Sequence, residues 1–518
     1  METSVEVVVS ICMVLMSLVG WRVFDWLWLR PKRLQNFLTR QGFAGNSYRI
    51  FVGDLKELAA ASGQARSNPM PTFSHDIAPR VVPSEYKTIQ NYGKNSYMWL
   101  GPYPRVHIMD PTHLKATFTQ IDEIQKPNFN PIVKLLLDGV LTYEGQKWAK
   151  HKKIISPAFY LLKLKDMVPK FIHTCNEMIS DWERLISKEG WCEIDVMPYL
   201  HNLTADSISR TACGSSFKEG QIIFKLLKEL TDLVVEAASR IYIPGWRFVP
   251  TKSNRKMKKI DREINTLLMG IINKRQKAME KGELGAQSDL LGILLESNLR
   301  EIEEHGNNKR DGMSIEEVVK ECRIFYLAGQ ETTASLLIWT MLCLSLHKQW
   351  QDRARVEVLQ VFGNKDPTFD GLSSLKVVTM IMNEVMRLYP PANTIHRVVQ
   401  KETRLGNLTI PSGVILCIPV ILIHRDREIW GDDAHEFKPE RFSEGISNAS
   451  KAQPGFLPFA WGPRICMGQN FAMMEAKIVF SIILQHFSFE LSSSYTHAPT
   501  SIMTTQPQHG AHIILRKL

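Results

Sequence analysis

The sequence predicts a mainly α-helical chain with a small β part, forming a single large domain behind an N-terminal transmembrane helix. Three observations predict it. Long stretches after residue 145 place apolar residues three and four apart. Short strand-like segments gather near residue 100 and beyond residue 400. Residues 7–29 are almost unbroken apolar sequence.

The N-terminal segment comes first. Val7 to Trp21 is apolar, and a second apolar run, Val23 to Leu29, is broken only by Asp25. A spanning helix needs about 20 residues, so the stretch suffices if Arg22 and Asp25 lie near an interface. Trp21, Trp26 and Trp28 suit that interface. No basic residue precedes Arg22, which favours a retained anchor over a cleaved signal peptide. Arg30, Lys32 and Arg33 follow the span and place the body on the cytoplasmic side.

Helices are expected over Lys147–Ile155, Leu162–Ser187, Gln221–Ala238, Lys256–Lys281, Ser314–Leu346, Gln349–Leu359 and Thr379–Leu388. A hairpin is expected from Ser96–Leu100 and Arg105–Met109, turning at Gly101–Pro104. Further strands are expected at Thr403–Ile410, Val414–Pro419 and Ala511–Leu515. No Gly/Ser/Pro-rich linker divides the chain, and no repeat of solenoid period occurs. The basic segment Lys252–Arg262 reads as an exposed face rather than a membrane-facing one, since charge runs usually are exposed.

Composition is that of an ordinary globular protein: 518 residues, 44% hydrophobic and 22% charged. The net charge of +10 is spread along the chain, which suits a membrane surface or an anionic partner and argues against nucleic acid. The eight cysteines form no CxxC and match no zinc spacing, so they read as reduced thiols facing the cytosol.

Four motifs carry chemistry. The first is Phe459-Ala460-Trp461-Gly462-Pro463-Arg464-Ile465-Cys466-Met467-Gly468. A thiolate bound to iron needs a tight loop whose amides point at the sulfur, with glycines that let a flat cofactor approach. Cys466 is the ligand candidate, beside Phe459 and Gly468, and Arg464 suits a haem propionate. The second is Ala328-Gly329-Gln330-Glu331-Thr332-Thr333 inside an apolar helix. Here Thr332 would hydrogen-bond dioxygen and Glu331 would relay protons. In isolation an ordinary helix, with Thr bonded back to the preceding turn, explains it equally well. The third is Glu384-x-x-Arg387 with Arg441, either a surface pair or a buried structural triad. The fourth is Trp148-Ala149-Lys150-His151-Lys152, whose Trp148 and Lys152 share a helix face. Lys147, Lys150, Lys152 and Lys153 also make a basic strip, either a docking face for an acidic electron donor or a solvated charged face. No GxGxxG, Walker A, HExxH or GxSxG pattern occurs, so electrons must come from another protein.

With these motifs in this order the chain resembles eukaryotic cytochromes P450 over essentially its whole length. More narrowly it resembles plant family 72, subfamily A, the group of secologanin synthase. That narrower likeness rests on stretches such as Trp28–Leu34, Gly45–Arg49, Leu141–Gly145, Arg425–Asp433 and Gln506-Pro507-Gln508-His509-Gly510-Ala511-His512. The resemblance implies a single cytochrome P450 fold haem domain over residues 34–518, behind an anchor and basic stop at 1–33. It implies haem b (iron protoporphyrin IX) held by Cys466, with Trp148, Lys152, Arg397 and Arg464 at its propionates. Lys152 stands where arginine is common, and Ala460 where glycine is usual, so that turn should tolerate a Cβ. Glu331 and Thr332 are the implied acid–alcohol pair, and Glu384, Arg387 and Arg441 the triad. The implied activity is monooxygenation of a terpenoid, an oleanane-type triterpenoid first and a gibberellin or iridoid second. NADPH-cytochrome P450 reductase would supply electrons, at the endoplasmic reticulum membrane. The substrate pocket is expected from Ile132, Phe325, Ala328, Asn393, Thr394, Ile395, Ile502 and Met503, with Thr504 as a further polar anchor. The alternatives are a dehydratase or isomerase of the same fold, and a non-catalytic haem-binding sensor or carrier. The intact acid–alcohol pair argues against both.

Overall fold

A computed structural model describes residues 2–128, 130–212, 214, 217–238, 245–282, 289–304, 306 and 310–518. Cys213, one of the eight cysteines, lies outside the described residues. The chain is mainly helical with a small β part, as expected. It divides into two compact units.

The first unit comprises Met1–Ser67, Ala78–Pro127 and Thr394–Pro419. Its helix Glu2–Phe24 runs through a π-helical turn, Asp25–Leu29, directly into helix Arg30–Arg40. A window within Val5–Arg40 has mean hydropathy 2.2 and is 0% buried, so this helix is long and apolar enough to cross a membrane. The apolar surface ends at a polar clasp. Arg33 pairs with Asp25, the Tyr48 hydroxyl donates to the Leu27 carbonyl at 2.8 Å, and Trp26 Nε1 donates to the Tyr103 hydroxyl at 3.3 Å. Beyond it Pro31, Leu34 and Leu38 are buried.

A six-stranded sheet forms the core of this unit. Its order is Ala44–Gly45, Ser96–Leu100, Tyr103–His107, Ile415–Ile418, Ile395–Val399, Ile124–Gln125. The expected hairpin is present, with Tyr97 opposite Val106. Its second strand starts two residues early, at Tyr103, and pairs in parallel with Ile415–Ile418. Thr403–Ile410 is two short strands turning at Gly406, whose φ of +59° suits glycine.

The second unit comprises Asn68–Ile77, Asn128–Asn393 and Val420–Leu518. Its axis is helix Ile315–Leu346. Ser314 and Glu317 close a capping box that fixes the start of this helix. Around it stand helices Val168–Leu185, Val196–Ala212, Lys252–Glu280, Lys376–Leu388 and Gln469–His486. The expected helix Leu162–Ser187 breaks instead into short pieces before Val168, because Pro169 has no N–H and sits best in a helix's first turn. Lys252–Arg262 opens an amphipathic helix that buries Met257 and Ile260 and exposes most of its lysines. A three-stranded sheet has His512–Lys517 between Trp191–Asp195 and Phe487–Leu491, and a hairpin joins Pro499–Ser501 to Thr505–Pro507.

Candidate active site

The cysteine loop belongs to the second unit. Its hydrogen bonds make a tight cage: Cys466 N donates to Phe459 O at 2.9 Å, Ile465 N to Gly462 O at 3.0 Å, and Ala460 N to Leu457 O at 3.1 Å. Ala460 has φ +61° and Gly462 has φ +75°. Position 460 is therefore left-handed, and its Cβ costs about 1–2 kcal/mol that glycine would avoid. The loop carries that cost in order to present Ile465, 45% exposed, and an exposed Cys466. Cys175, Cys322, Cys343 and Cys417 are buried by contrast. Gly468 caps helix Gln469–His486, so the sulfur sits at the positive end of an 18-residue helix, which favours a thiolate. A Cβ on Gly468 would lie 3.8 Å from Cys466 Sγ and 3.9 Å from Phe159. Glycine there leaves the approach to the sulfur clear.

Phe159 links this loop to the long helix, since its ring meets Phe325 edge-on at 5.6 Å between centroids. One turn beyond Phe325, Ala328 is exposed although Ile324 to Leu327 are buried. Two apolar exposed faces, at Ile465–Cys466 and at Ala328, thus flank the Phe159–Phe325 contact. Burying them is the gain a flat apolar cofactor offers. Gly329 has a different cause from the groove its sequence suggests. Its Cβ would come within 2.8 Å of Ile208, so glycine permits close crossing of helix Val196–Ala212.

Thr332 Oγ1 donates to Ala328 O at 2.6 Å. Glu331 is half-buried and faces the Thr505–Pro507 strand. Its Oε2 lies 3.4 Å from Gln506 Nε2 and 3.5 Å from Thr504 Oγ1. Thr504 is therefore turned to Glu331.

Three of the four expected propionate residues meet in this unit. The Arg464 guanidinium stacks 3.9 Å over the Trp148 ring, and the Lys152 ammonium lies 4.9 Å over the same ring. Lys152 donates to Pro463 O at 2.9 Å, and Arg464 donates to Tyr143 O at 2.8 Å and pairs with Glu144. Burial lowers the Arg464 guanidinium, and Glu144 opposes that. A thiol, an indole N–H, an ammonium and a guanidinium are the donor set that an iron with two carboxylate arms requires, so these residues fit haem. Arg397 lies in the first unit on strand Ile395–Val399, buried, over the Phe118 ring at 5.7 Å. Thr394 and Ile395 belong to that unit as well.

Glu384 and Arg387 are both fully buried and bidentate, at 2.7 and 2.8 Å, which excludes a surface pair. Arg387 also donates to the carbonyls of His424, Ala434 and Glu436. Arg441 Nε lies 3.5 Å from Glu384 Oε1, and Asp433 takes its Nη1 at 2.7 Å. The lysine strip is engaged within the chain: Lys147 pairs with Glu317, Lys153 with Glu301, and Lys150 donates to Gly312 O. These partners blunt the strip as an acidic-donor surface. Of the remaining expected pocket residues, Ile132 and Phe325 are buried and Met503 half-buried, while Ile502 is 56% exposed at a hairpin tip. Asn393 donates its amide to Ser501 Oγ at 2.7 Å.

Sequence reasoning missed Glu144 and Asp433, although both stand in the stretches that carry the family likeness. It also missed Glu321, fully buried, which accepts from Val140 N at 2.9 Å and lies 2.7 Å from His151 Nδ1.

The cytochrome P450 family model matches residues 83–513. The chain is 53% identical over 519 residues to Cytochrome P450 CYP72A219 of Panax ginseng, covering all of both chains. It is 49% identical to Secologanin synthase 1 of Catharanthus roseus over 521 residues, 100% of this chain and 99% of the relative. A solved structure, retinoic acid bound cyanobacterial CYP120A1, superposes with TM-score 0.72 at 21% identity, over 86% of this chain and 96% of that one, and shows the fold alone. The chain belongs to the cytochrome P450 family. It is a haem-dependent monooxygenase, with subfamily 72A proteins among its relatives, and takes a redox partner and a small organic substrate.

Proposed function

We propose that this enzyme hydroxylates an unactivated carbon of a terpenoid, an oleanane-type triterpenoid first and a gibberellin or iridoid second. Electrons come from NADPH-cytochrome P450 reductase at the endoplasmic reticulum. Residues 1–33 anchor the protein, and residues 34–518 form the catalytic body on the cytoplasmic side. Cys466 holds the iron; Trp148, Lys152 and Arg464 hold the propionates, with Phe459 and Gly468 shaping the loop.

When bound, haem supplies dioxygen activation, and the thiolate donates electron density to it. The chain's own residues do the rest. The Thr332 hydroxyl and the Glu331 carboxylate handle protons on the long helix. Apolar side chains, among them Ile132, Phe325, Ala328, Ile502 and Met503, exclude water and hold a rigid apolar substrate. Asn393 is left as a polar anchor, since Thr504 is turned to Glu331. The observation that carries the reading is the exposed cysteine on its caged loop beside the helix of Glu331 and Thr332. The substrate class rests on full-length likeness to a secologanin synthase.

A terpenoid panel titrated into the membrane-embedded enzyme tests it. A triterpenoid should shift the iron toward high spin and yield a product heavier by one oxygen with reductase. If only fatty acids or small aromatics shift the spectrum, the terpenoid assignment fails.

A further inference from the structure

Gln330 and Gln506 have no role in the function so far, although each stands in a sequence motif, and His201 belongs to none. The structure joins all three to Glu331. Gln506 Nε2 lies 3.4 Å from Glu331 Oε2 and 2.9 Å from Thr504 Oγ1. His201 Nε2 lies 3.1 Å from Gln506 Oε1, and Gln330 Nε2 lies 2.8 Å from His201 Nδ1.

The chemistry gives this chain one direction. A carboxylate only accepts, so Gln506 must turn its NH2 toward Glu331. That NH2 has two hydrogens, one for Glu331 and one for Thr504. The amide oxygen then faces His201, whose Nε2 must carry a proton to donate to it. In a neutral imidazole this leaves Nδ1 bare, and the Gln330 amide donates there. Each partner thereby selects the orientation of the next.

The geometry is also held from behind. Gln506 is 9% exposed and sits between Thr505 and Pro507 on a hairpin strand. The Thr505 carbonyl accepts from Ser335 Oγ at 2.7 Å and from Trp339 Nε1 at 2.8 Å. Both donors belong to the helix that carries Glu331 and Gln330. The strand is therefore pinned to the helix whose carboxylate it addresses.

We propose that Gln330, His201 and Gln506 form a directional hydrogen-bond chain that positions the Glu331 carboxylate for proton delivery. Gln506 makes the contact, and His201 sets its orientation. This deepens, and rests on, the reading of Glu331 as the proton-delivering acid. Thr504 is part of the same grip.

The test uses the full-length, membrane-embedded holoenzyme. The carboxylate stretch of Glu331 is identified in infrared difference spectra by its loss in Glu331→Gln. Gln506→Leu and His201→Leu should both move that band, because the carboxylate loses a fixed donor. Both should also lower product formed per nicotinamide oxidised severalfold, with the ferrous–CO spectrum unchanged. A band that stays in place in His201→Leu, with a normal CO spectrum, overturns the orienting role. If His201→Leu loses the CO spectrum, Gln330→Leu, at a half-buried position, replaces it under the same criterion. Unchanged coupling in Glu331→Gln overturns proton delivery by Glu331, whereas the infrared band decides the chain independently.

Discussion

The Thr332 hydroxyl donates to the carbonyl oxygen of Ala328, one helical turn back, at 2.6 Å. Such a back-bond is a small term in helix stability. It does, however, fix where the hydroxyl oxygen points, next to the exposed Ala328. Thr332→Ala should therefore keep haem, substrate binding and thermal stability. It should release much of the consumed reducing equivalent as peroxide, and Thr332→Ser should restore coupling. Product and peroxide are measured per nicotinamide oxidised. An unchanged ratio in Thr332→Ala removes Thr332 from the mechanism.

Cys466 is exposed, and its loop is closed by backbone bonds from the Cys466, Ile465 and Ala460 amides, which a change of the Cys466 side chain leaves in place. Cys466→Ala should leave the chain folded and abolish the red-shifted ferrous–CO band, which requires a thiolate. A haem-loaded variant with an unshifted spectrum relative to wild type would falsify the ligand assignment.

The Glu384–Arg387 pair has no solvent contact, and three backbone carbonyls share the Arg387 guanidinium. Removing one partner leaves a buried charge without compensation, which costs about 3–5 kcal/mol. Glu384→Ala should give a chain that fails to retain haem, and Arg387→Lys should not rescue function, because an ammonium cannot span the same fork. Arg441→Ala should be milder, since Arg441 shares Asp433 as well as Glu384. Haem content per folded protein and the thermal midpoint rank the three. Equal tolerance of all would mean the triad is decorative.

Helix Ile315–Leu346 and the cysteine loop are legible in the sequence, because a capped apolar periodicity and a ten-residue motif both act over short range. Helix Val196–Ala212 is not, although it carries His201. Its buried face includes Thr204, Ser207, Ser209 and Thr211. Three of those hydroxyls bond back to their own helix, at Leu200, Ala205 and Ser207. Satisfied hydroxyls can be buried, so the face does not look apolar in sequence. The partners of Arg464 and Lys150 are similarly hidden: they lie 320 and 162 residues away. The family resemblance named the functional residues. It left unstated who holds them.

The N-terminal apolar helix continues without a linker into Arg30–Arg40, and Tyr48 and Tyr103 grip it at Leu27 and Trp26. Deleting residues 2–24 should release much of the protein from membranes with its CO spectrum intact. Deleting residues 2–33 should release it too, but with lower thermal stability. That cut also removes buried Pro31 and the partners of two tyrosines, each hydrogen bond being worth about 1 kcal/mol. Fractionation and melting curves of the two truncations separate these outcomes. Identical midpoints would show that the clasp contributes nothing.

Glu475 lies on the helix that follows the cysteine loop and is 1% exposed. Burial pushes its carboxyl up to about 8 from an ordinary 4.5, and the neighbouring Ser207 hydroxyl offsets only part of this. The folded state therefore keeps a proton that the unfolded chain releases above about pH 4.5. The unfolded state binds fewer protons across that interval, so stability falls as pH rises from about 5 to about 8 and levels off above it. The loss amounts to several kcal/mol over that range, at about 1.4 kcal/mol per pH unit. Glu475→Gln should remove this slope. Its amide is a polar group buried in the same place, so its absolute stability at low pH should be no better than wild type. Glu475→Met removes the polar group altogether and should exceed wild type above pH 8. Chemical denaturation midpoints of the three proteins between pH 5 and 9 decide the matter. A wild-type curve that parallels Glu475→Gln throughout would show that Glu475 is ionised in the folded protein, held by a partner or an internal water.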